Sequence, residues 1–545
     1  MADDGAIECL RGEALASTVR KAVFSTQAID VHTHLFPEQH GSLLLWGIDE
    51  MLTYHYLVSE MFMVAPAELT AEAFFAMPKS QQADLVWKYL FIDRSPLSEA
   101  QLGVLRTLQK LGLADLVAKK DLVSIRQWFA EQDALKHIDK IFQLAGLKYV
   151  VMTNIPFDAK EAATWVKESA QIDLASESFA SADVYEQTFC ATRFRTALRI
   201  DPLLKGDWGT ISSCLAARGL PQTMEGTRVF LKAWAKVYNA EYLMASTPAD
   251  FAYGSSDTER HPGWPTATQL IDEVMVPVAE ELRLPLAMKL GAKRGMNPDL
   301  NPCGGGDGVC ISDVGPLEEL CRRCPRVKFL ATFLSRVNQH EVCVLAQKFR
   351  NLHIYGCWWY CNNPSMIEEI TRMRMEMLGT AFTAQHSDSR VLDQLVYKWD
   401  HSRQVIAEVL VRQFDLLAAR GWPISAKDVE RDVWRLFGGA YEEFMAKDAC
   451  PNNSSTSSSH AQPPREAAGT WEEHLVRGME MVIDSLHVEE DLGQERGAET
   501  ASQQAEQTIP PPVPASDLPK RRPPRKALTR NFARYCLPGA FGCGC

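Results

Sequence analysis

Two histidines stand two residues apart in Asp30-Val31-His32-Thr33-His34, at the end of the short apolar run Ala28-Ile29-Asp30-Val31. On a strand, alternate side chains point to the same side, so both imidazoles face one way. Two imidazoles converging at a strand end, with a third ligand from elsewhere, make a zinc-type catalytic site that keeps an open position. Without such a partner the same pair is two half-buried histidines on an ordinary strand. The rest of the chain has to decide between these readings.

Composition narrows the field. A formal net charge of −12 over 545 residues argues against a nucleic-acid binder, which would present a basic face. No run of about 18 apolar residues is present, so no segment is expected to span a membrane. The N-terminus, Met1-Ala2-Asp3-Asp4-Gly5, is acidic and lacks the apolar stretch of a signal peptide. The 14 cysteines are dispersed and read as free thiols in a reducing, cytoplasmic setting. Cys321-x-x-Cys324, with Cys303 and Cys310 upstream, has zinc-like spacing, but it falls in a helical stretch where cysteine packs as a small hydrophobe.

The elements that must position the histidines follow from the apolar runs. These recur at 28–34, 149–154, 195–201, 240–246, 284–291, 327–334, 352–359 and 378–388, with helical stretches between them. Strand–helix alternation predicts a parallel sheet, and eight repeats predict a closed TIM-type (β/α)8 barrel over residues 1–450. The long gap after the first run reads as a helical insertion at about 58–146, with helices over 97–111 and 122–144, placed over the barrel mouth. Residues 451–545 open on a Ser/Asn run and read as a largely disordered tail with one helix at 470–486. That tail carries a basic cluster from Lys520 to Arg534, read as solvated disordered chain or, alternatively, as a contact to an acidic surface or an import signal, and ends in Cys543-Gly544-Cys545, which resembles a prenylation terminus.

In a barrel of this kind the site lies at the C-terminal ends of the strands. Those ends carry His32 and His34, Asn154, Arg199 with Asp201, Lys289 with Arg294, Trp359, and Asp388 with Arg390. Buried charges are costly unless paired, so one shared pocket explains them better than a separate accident at each strand end.

The segment Leu45-Trp46-Gly47-Ile48-Asp49-Glu50-Met51-Leu52-Thr53-Tyr54-His55-Tyr56-Leu57 resembles a motif of the uronate (glucuronate) isomerases, divergent members of the amidohydrolase superfamily. The resemblance continues through the HxH, Met152-Thr153-Asn154-x-Pro156-Phe157-Asp158, Arg199-x-Asp201, Gly291-Ala292-Lys293-Arg294, Gly356-x-Trp358-Trp359 and Asp388-Ser389-Arg390. It spans roughly residues 20–445. It implies interconversion of D-glucuronate with D-fructuronate, and of D-galacturonate with D-tagaturonate, through a metal-stabilised enediol. It also implies that His32, His34 and Asp388 hold one divalent metal, Zn2+, and that His55, Tyr56, Arg199, Trp359 and Arg390 line the pocket of a small sugar acid. Asn154 and Arg294 are further substrate-binding candidates. Asp388 is the candidate base and Tyr56 its rival. A homo-oligomer is left open.

One position departs from the family pattern. Where typical members carry a histidine two residues before the Gly of the Gly-Ala-x-Arg element, this chain has Lys289. It can thin the metal's ligand set, act as an acid/base after burial, bridge two metals as a carbamate, or form an ion pair with Asp388 or Asp201. Two other functions compete. A metal-dependent hydrolase or decarboxylase would use the same HxH and aspartate, but the arginines at 199, 294 and 390 favour an acidic sugar. A non-catalytic scaffold has no need of an intact HxH with Asp388 and Arg390.

Overall fold

The computed structural model describes residues 9–187, 192–254, 257–259 and 261–448. Seven strands form one parallel sheet in sequence order: β1 (Ala28–Asp30), β2 (Leu147–Asn154), β3 (Phe194–Arg199), β4 (Leu243–Ser246), β5 (Leu286–Leu290), β6 (Phe329–Phe333) and β7 (Leu352–Ile354). Each overlaps one of the expected apolar runs, two of them starting one or two residues earlier than expected. Strands buried on both faces read as continuous apolar stretches, which is why they are visible in the sequence. The sheet curls, in keeping with a TIM-like barrel.

The period-two alternation of β5 decides what faces inward. Leu286, Met288 and Leu290 pack into the large core between the sheet and its helices. Ala287 belongs instead to a second, interior cluster with Ile29, Val31, Tyr149, Val151, Ala197, Met244 and Leu330. Lys289 shares Ala287's side and is nearly fully buried. Tyr441 and Phe444, from the helix Ala440–Ala446, join the interior cluster. The Lys328 ammonium, just before β6, donates to the carbonyls of Phe444 and Met445, which seats that helix at the N-terminal end of the strands.

The segment between β1 and β2 is helical from Ile48–Leu52 to Ala134–Ala145. The helix expected over 97–111 is Glu99–Lys110, opened by a capping box of Ser98 and Gln101. The helix expected over 122–144 is two, Leu122–Ala130 and Ala134–Ala145. The Asp133 carboxylate takes the Lys136 N–H and starts the second.

The eighth expected strand is not a strand among the described residues. Leu378 ends the helix Pro364–Leu378, and residues 382–389 are irregular. This segment still bonds to both edges of the sheet. Thr383 N–H donates to the Ile354 carbonyl and Gly356 N–H to the Thr383 carbonyl. On the other side Asp388 N–H donates to the His32 carbonyl, and His34 N–H to the Ser389 carbonyl. Between these points side chains take the bonds a ladder would use: Gln385 Oε1 accepts from Cys357 and His386 N–H groups, and Asp30 Oδ1 accepts from Ser387 N–H.

Gly356 sits where this segment passes closest. Its φ is +65°, and a Cβ there would lie 1.6 Å from His386 Nδ1. Gly356→Ala is therefore expected to cost about 2–5 kcal/mol, from left-handed strain plus forced displacement of a buried ring. Urea denaturation checks this. No helix among the described residues is long and apolar enough to cross a membrane. The tail expected from 451 onward, with its helix at 470–486, lies outside the described residues. Cys321 and Cys324 are buried free thiols at the end of the helix Gly315–Arg323, as their packing role requires.

Candidate metal and substrate site

β1 stops at Asp30, so the histidines lie in the irregular segment just past the strand end rather than on it. That segment is pinned from both sides, because Thr33 N–H donates to the Val151 carbonyl of β2 and His34 N–H to the Ser389 carbonyl. The two rings stand nearly perpendicular, at 86° with centroids 5.0 Å apart. Both nevertheless aim Nε2 at one carboxylate oxygen: Asp388 Oδ1 is 2.9 Å from His32 and 3.5 Å from His34. Thr153 Oγ1, 3.2 Å from His32 Nδ1, fixes the first ring from behind. Asp388 holds its position at a φ of +52°, a left-handed conformation that aspartate tolerates. Trp359, at +49°, is the bulkier exception, and such strain concentrates at functional sites.

The donor set of two imidazoles and a carboxylate, with ligand atoms all within 4.8 Å of one another, suits a divalent metal. Burial, joined by the Lys289 charge, pushes His32 well below its usual range, and burial pushes His34 down to about 3. Both are neutral and offer lone pairs. Burial alone would raise the Asp388 carboxyl, but Lys289, His32 and His34 together hold it well below the usual carboxylate range. Lys289 Nζ lies 2.6 Å from Asp388 Oδ1 and 2.5 Å from His32 Nε2, with the Trp358 ring centroid 4.6 Å away. Metal entry therefore requires this ammonium to withdraw from two of the three donors. Of the alternatives for Lys289, the ion pair with Asp388 is the one the geometry contains.

The other expected residues surround this centre unevenly. His55 opens the helix His55–Phe62 and meets Trp359 edge-on, at a centroid distance of 5.6 Å. Burial, with Arg390 and Lys398 adding to it, lowers His55 to about 3, so it is neutral. Burial raises the Tyr56 hydroxyl well above its usual range, which makes it a poor base near neutral pH. Arg199 is spent in part: Nε and Nη2 donate to the Asp201 carboxylate at 3.0 and 2.8 Å. Arg294 is more exposed and pairs with Asp307, its guanidinium 6.0 Å from the Trp359 ring. Arg390 is exposed and has no ion-pair partner among the described residues, while its charge acts on His34 and His55. Four of the expected pocket residues carry buried polar atoms without a hydrogen-bond partner among the described residues: His55 Nδ1, Tyr56 Oη, Asn154 Oδ1 and Trp359 Nε1. Native proteins rarely leave such atoms unpaired.

Asn154 is held by Glu161, whose Oε1 accepts from Asn154 Nδ2 at 3.1 Å and from Ile155 N–H at 2.9 Å. Burial raises Glu161 to about 7. A carboxyl whose folded pKa is raised favours the folded state at low pH, and that advantage is lost as pH rises from its unfolded value through about 7. Glu161→Gln is thus expected to flatten the pH dependence of unfolding between about pH 5 and 7. Denaturant midpoints across that range check it.

Residue spacing missed several supports. Lys398, buried in the helix Gln394–Ala419, donates to the Ser387 carbonyl at 2.7 Å and lies 5.7 Å from the Tyr56 ring. Trp399 Nε1 donates to Asp30 Oδ2, whose other oxygen holds Ser387. Tyr54 was present in the 45–57 motif, and Trp358 stood beside Trp359, so both were within sight.

No family model matches the chain, and no curated protein matches it. Solved structures do. A uronate isomerase from Bacillus halodurans is 41% identical, with a TM-score of 0.70, over 80% of this chain and 97% of that one. A uronate isomerase from Thermotoga maritima is 15% identical, with a TM-score of 0.60, over 79% of this chain and 97% of that one. A glucuronate isomerase from Caulobacter crescentus is 13% identical, with a TM-score of 0.57, over 82% of this chain and 98% of that one. The last two share the fold.

Proposed function

The chain belongs to the uronate isomerase family, and we propose that its site interconverts the aldose and ketose forms of a hexuronate, D-glucuronate with D-fructuronate and D-galacturonate with D-tagaturonate. The observation that carries this reading is the meeting of His32, His34 and Asp388 beside Arg390 and four buried polar atoms that have no partner among the described residues. A polyhydroxylated acid supplies what such a surface needs: hydroxyls for the polar atoms and a carboxylate for the arginine. Residues 382–389 complete an eighth stave of a (β/α)8 barrel, and the helices between β1 and β2 cover its mouth. All nine described cysteines are free thiols, which supports a cytoplasmic setting.

Isomerisation needs a base for the proton on C2, a polarising group at the carbonyl and a fixed carboxylate. Asp388 Oδ1 is committed to His32, His34 and Lys289, while Oδ2 has no partner among the described residues. Oδ2 takes the C2 proton and returns it to C1. His55, Tyr56, Asn154 and Trp359 hold the sugar hydroxyls, and Arg390 holds the carboxylate. His32, His34 and Asp388 would hold one divalent metal, zinc by its donor set, which supplies Lewis-acid polarisation of the carbonyl when bound.

Incubation with a uronate panel, followed by NMR in D2O, tests the reading. Carbonyl migration is expected, with deuterium entering the carbon beside the carbonyl to the extent that the proton on Asp388 exchanges with solvent before its return. No migration with any uronate would overturn it. Replacing His32 and His34 by Ala is expected to abolish stoichiometric zinc binding, read by elemental analysis, while the chain still melts cooperatively.

A further inference from the structure

His32 Nε2 and His34 Nε2 lie 2.9 and 3.5 Å from Asp388 Oδ1, so three ligand-type atoms meet in one small space. With their lone pairs turned inward they would repel unless a cation stood among them. The structure has one of its own. Lys289 lies on the inward face of β5, between Ser246 of β4 and Thr332 of β6 in register. Its Nζ is 2.5 Å from His32 Nε2 and 2.6 Å from Asp388 Oδ1. The tautomer agrees: if Nε2 accepts from the ammonium, Nδ1 carries the hydrogen and donates to Thr153 Oγ1. An ammonium has three N–H groups, so one remains for a substrate oxygen.

We propose that the Lys289 ammonium is a catalytic residue, the cation on which this chain's isomerisation runs, and that it competes with a divalent metal for His32 and Asp388. The proposal rests on the isomerase reading. Asp388 Oδ2 removes the proton from C2, and the electron pair moves to the carbonyl oxygen O1. The ammonium donates a hydrogen bond to O1 as that charge develops, and keeps all its own protons. The O2 proton passes to O1 across the cis-enediol. Asp388 then returns its proton to C1 as the C2 carbonyl forms, so nothing is gained, lost or oxidised. The same ammonium keeps the donors assembled with no metal bound.

The test compares the wild-type protein with Lys289→Met, and with Lys289→Gln in case methionine prevents folding. Each is stripped with chelator, checked for zinc by elemental analysis, titrated with zinc by calorimetry, and assayed on D-glucuronate and D-galacturonate by NMR. Stripped wild type is expected to keep its kcat within about twofold of the zinc-loaded protein, and the stripped variants to lose about 100-fold or more, on the scale of a lost charged donor in the transition state. Zinc is expected to bind the variants at least about tenfold more tightly, since no ammonium has to leave. Loss of wild-type turnover on stripping, or zinc affinity in the variants no greater than in wild type, would each overturn the proposal. If neither form of wild type isomerises any uronate, the isomerase reading fails and takes the catalytic role of Lys289 with it, while the calorimetry still decides the competition for the donors.

Discussion

Asp388→Asn is expected to lower kcat by about 10³-fold, within the 10²–10⁴-fold range of a positioned acid/base, with a small change in KM. The asymmetry follows from the two oxygens. Oδ2 acts only when the C2 proton moves, so its loss is felt in the transition state more than in the bound ground state. Oδ1 is the common partner of His32, His34 and Lys289. Its conversion to an amide strips the buried ammonium of its counter-charge, which can also loosen the fold. Thermal melts must therefore accompany the kinetics. A folded Asn variant that still incorporates solvent deuterium at the wild-type rate would show that another group removes the proton. Tyr56 is a weak replacement, because burial pushes its hydroxyl well above the usual range.

The same residue shows what a linear sequence reveals. Asp388 was legible because it closes an apolar run and stands two residues before Arg390, and the HxH was legible by its own spacing. Seven strands were legible because burial on both faces makes them apolar throughout. The eighth apolar run, 378–388, is instead irregular, since between Thr383 and Asp388 its bonds go to the Gln385 and Asp30 side chains rather than to a ladder. The state of each arginine was equally hidden. Arg199-x-Asp201 could have been read as a self-pair from its spacing. The Arg294–Asp307 pair depends on a small hairpin that joins Ala292–Lys293 to Gly308–Val309, which no local pattern announces. Nothing in the local sequence marks Lys398, on the helix Gln394–Ala419, as buried. Only packing places it under Ser387, where it braces the loop that carries Asp388.

Those pairings decide which cation is free for the substrate, and hence the second large effect. Asp201 engages Arg199 through two nitrogens and Asp307 engages Arg294, while Arg390 has no ion-pair partner among the described residues. Arg390→Met is therefore expected to raise KM for a hexuronate by about 10–100-fold, the scale of a lost charged hydrogen bond of about 1.5–3 kcal/mol. The substrate carboxylate is charged equally before and during proton transfer, so kcat is expected to fall by less than the rise in KM. The substitution also removes a positive charge that helps hold His55 neutral, so the acid limb of the pH profile is expected to shift upward. A neutral hexose in place of the uronate gives the control, because it has no carboxylate to lose and should discriminate little between wild type and Arg390→Met. If KM for the uronate is unchanged while kcat collapses, Arg390 acts on the reacting carbons rather than on the carboxylate. The acid group would then have to bind through Arg294 or the free Nη1 of Arg199, and a KM rise on replacing either arginine would locate it.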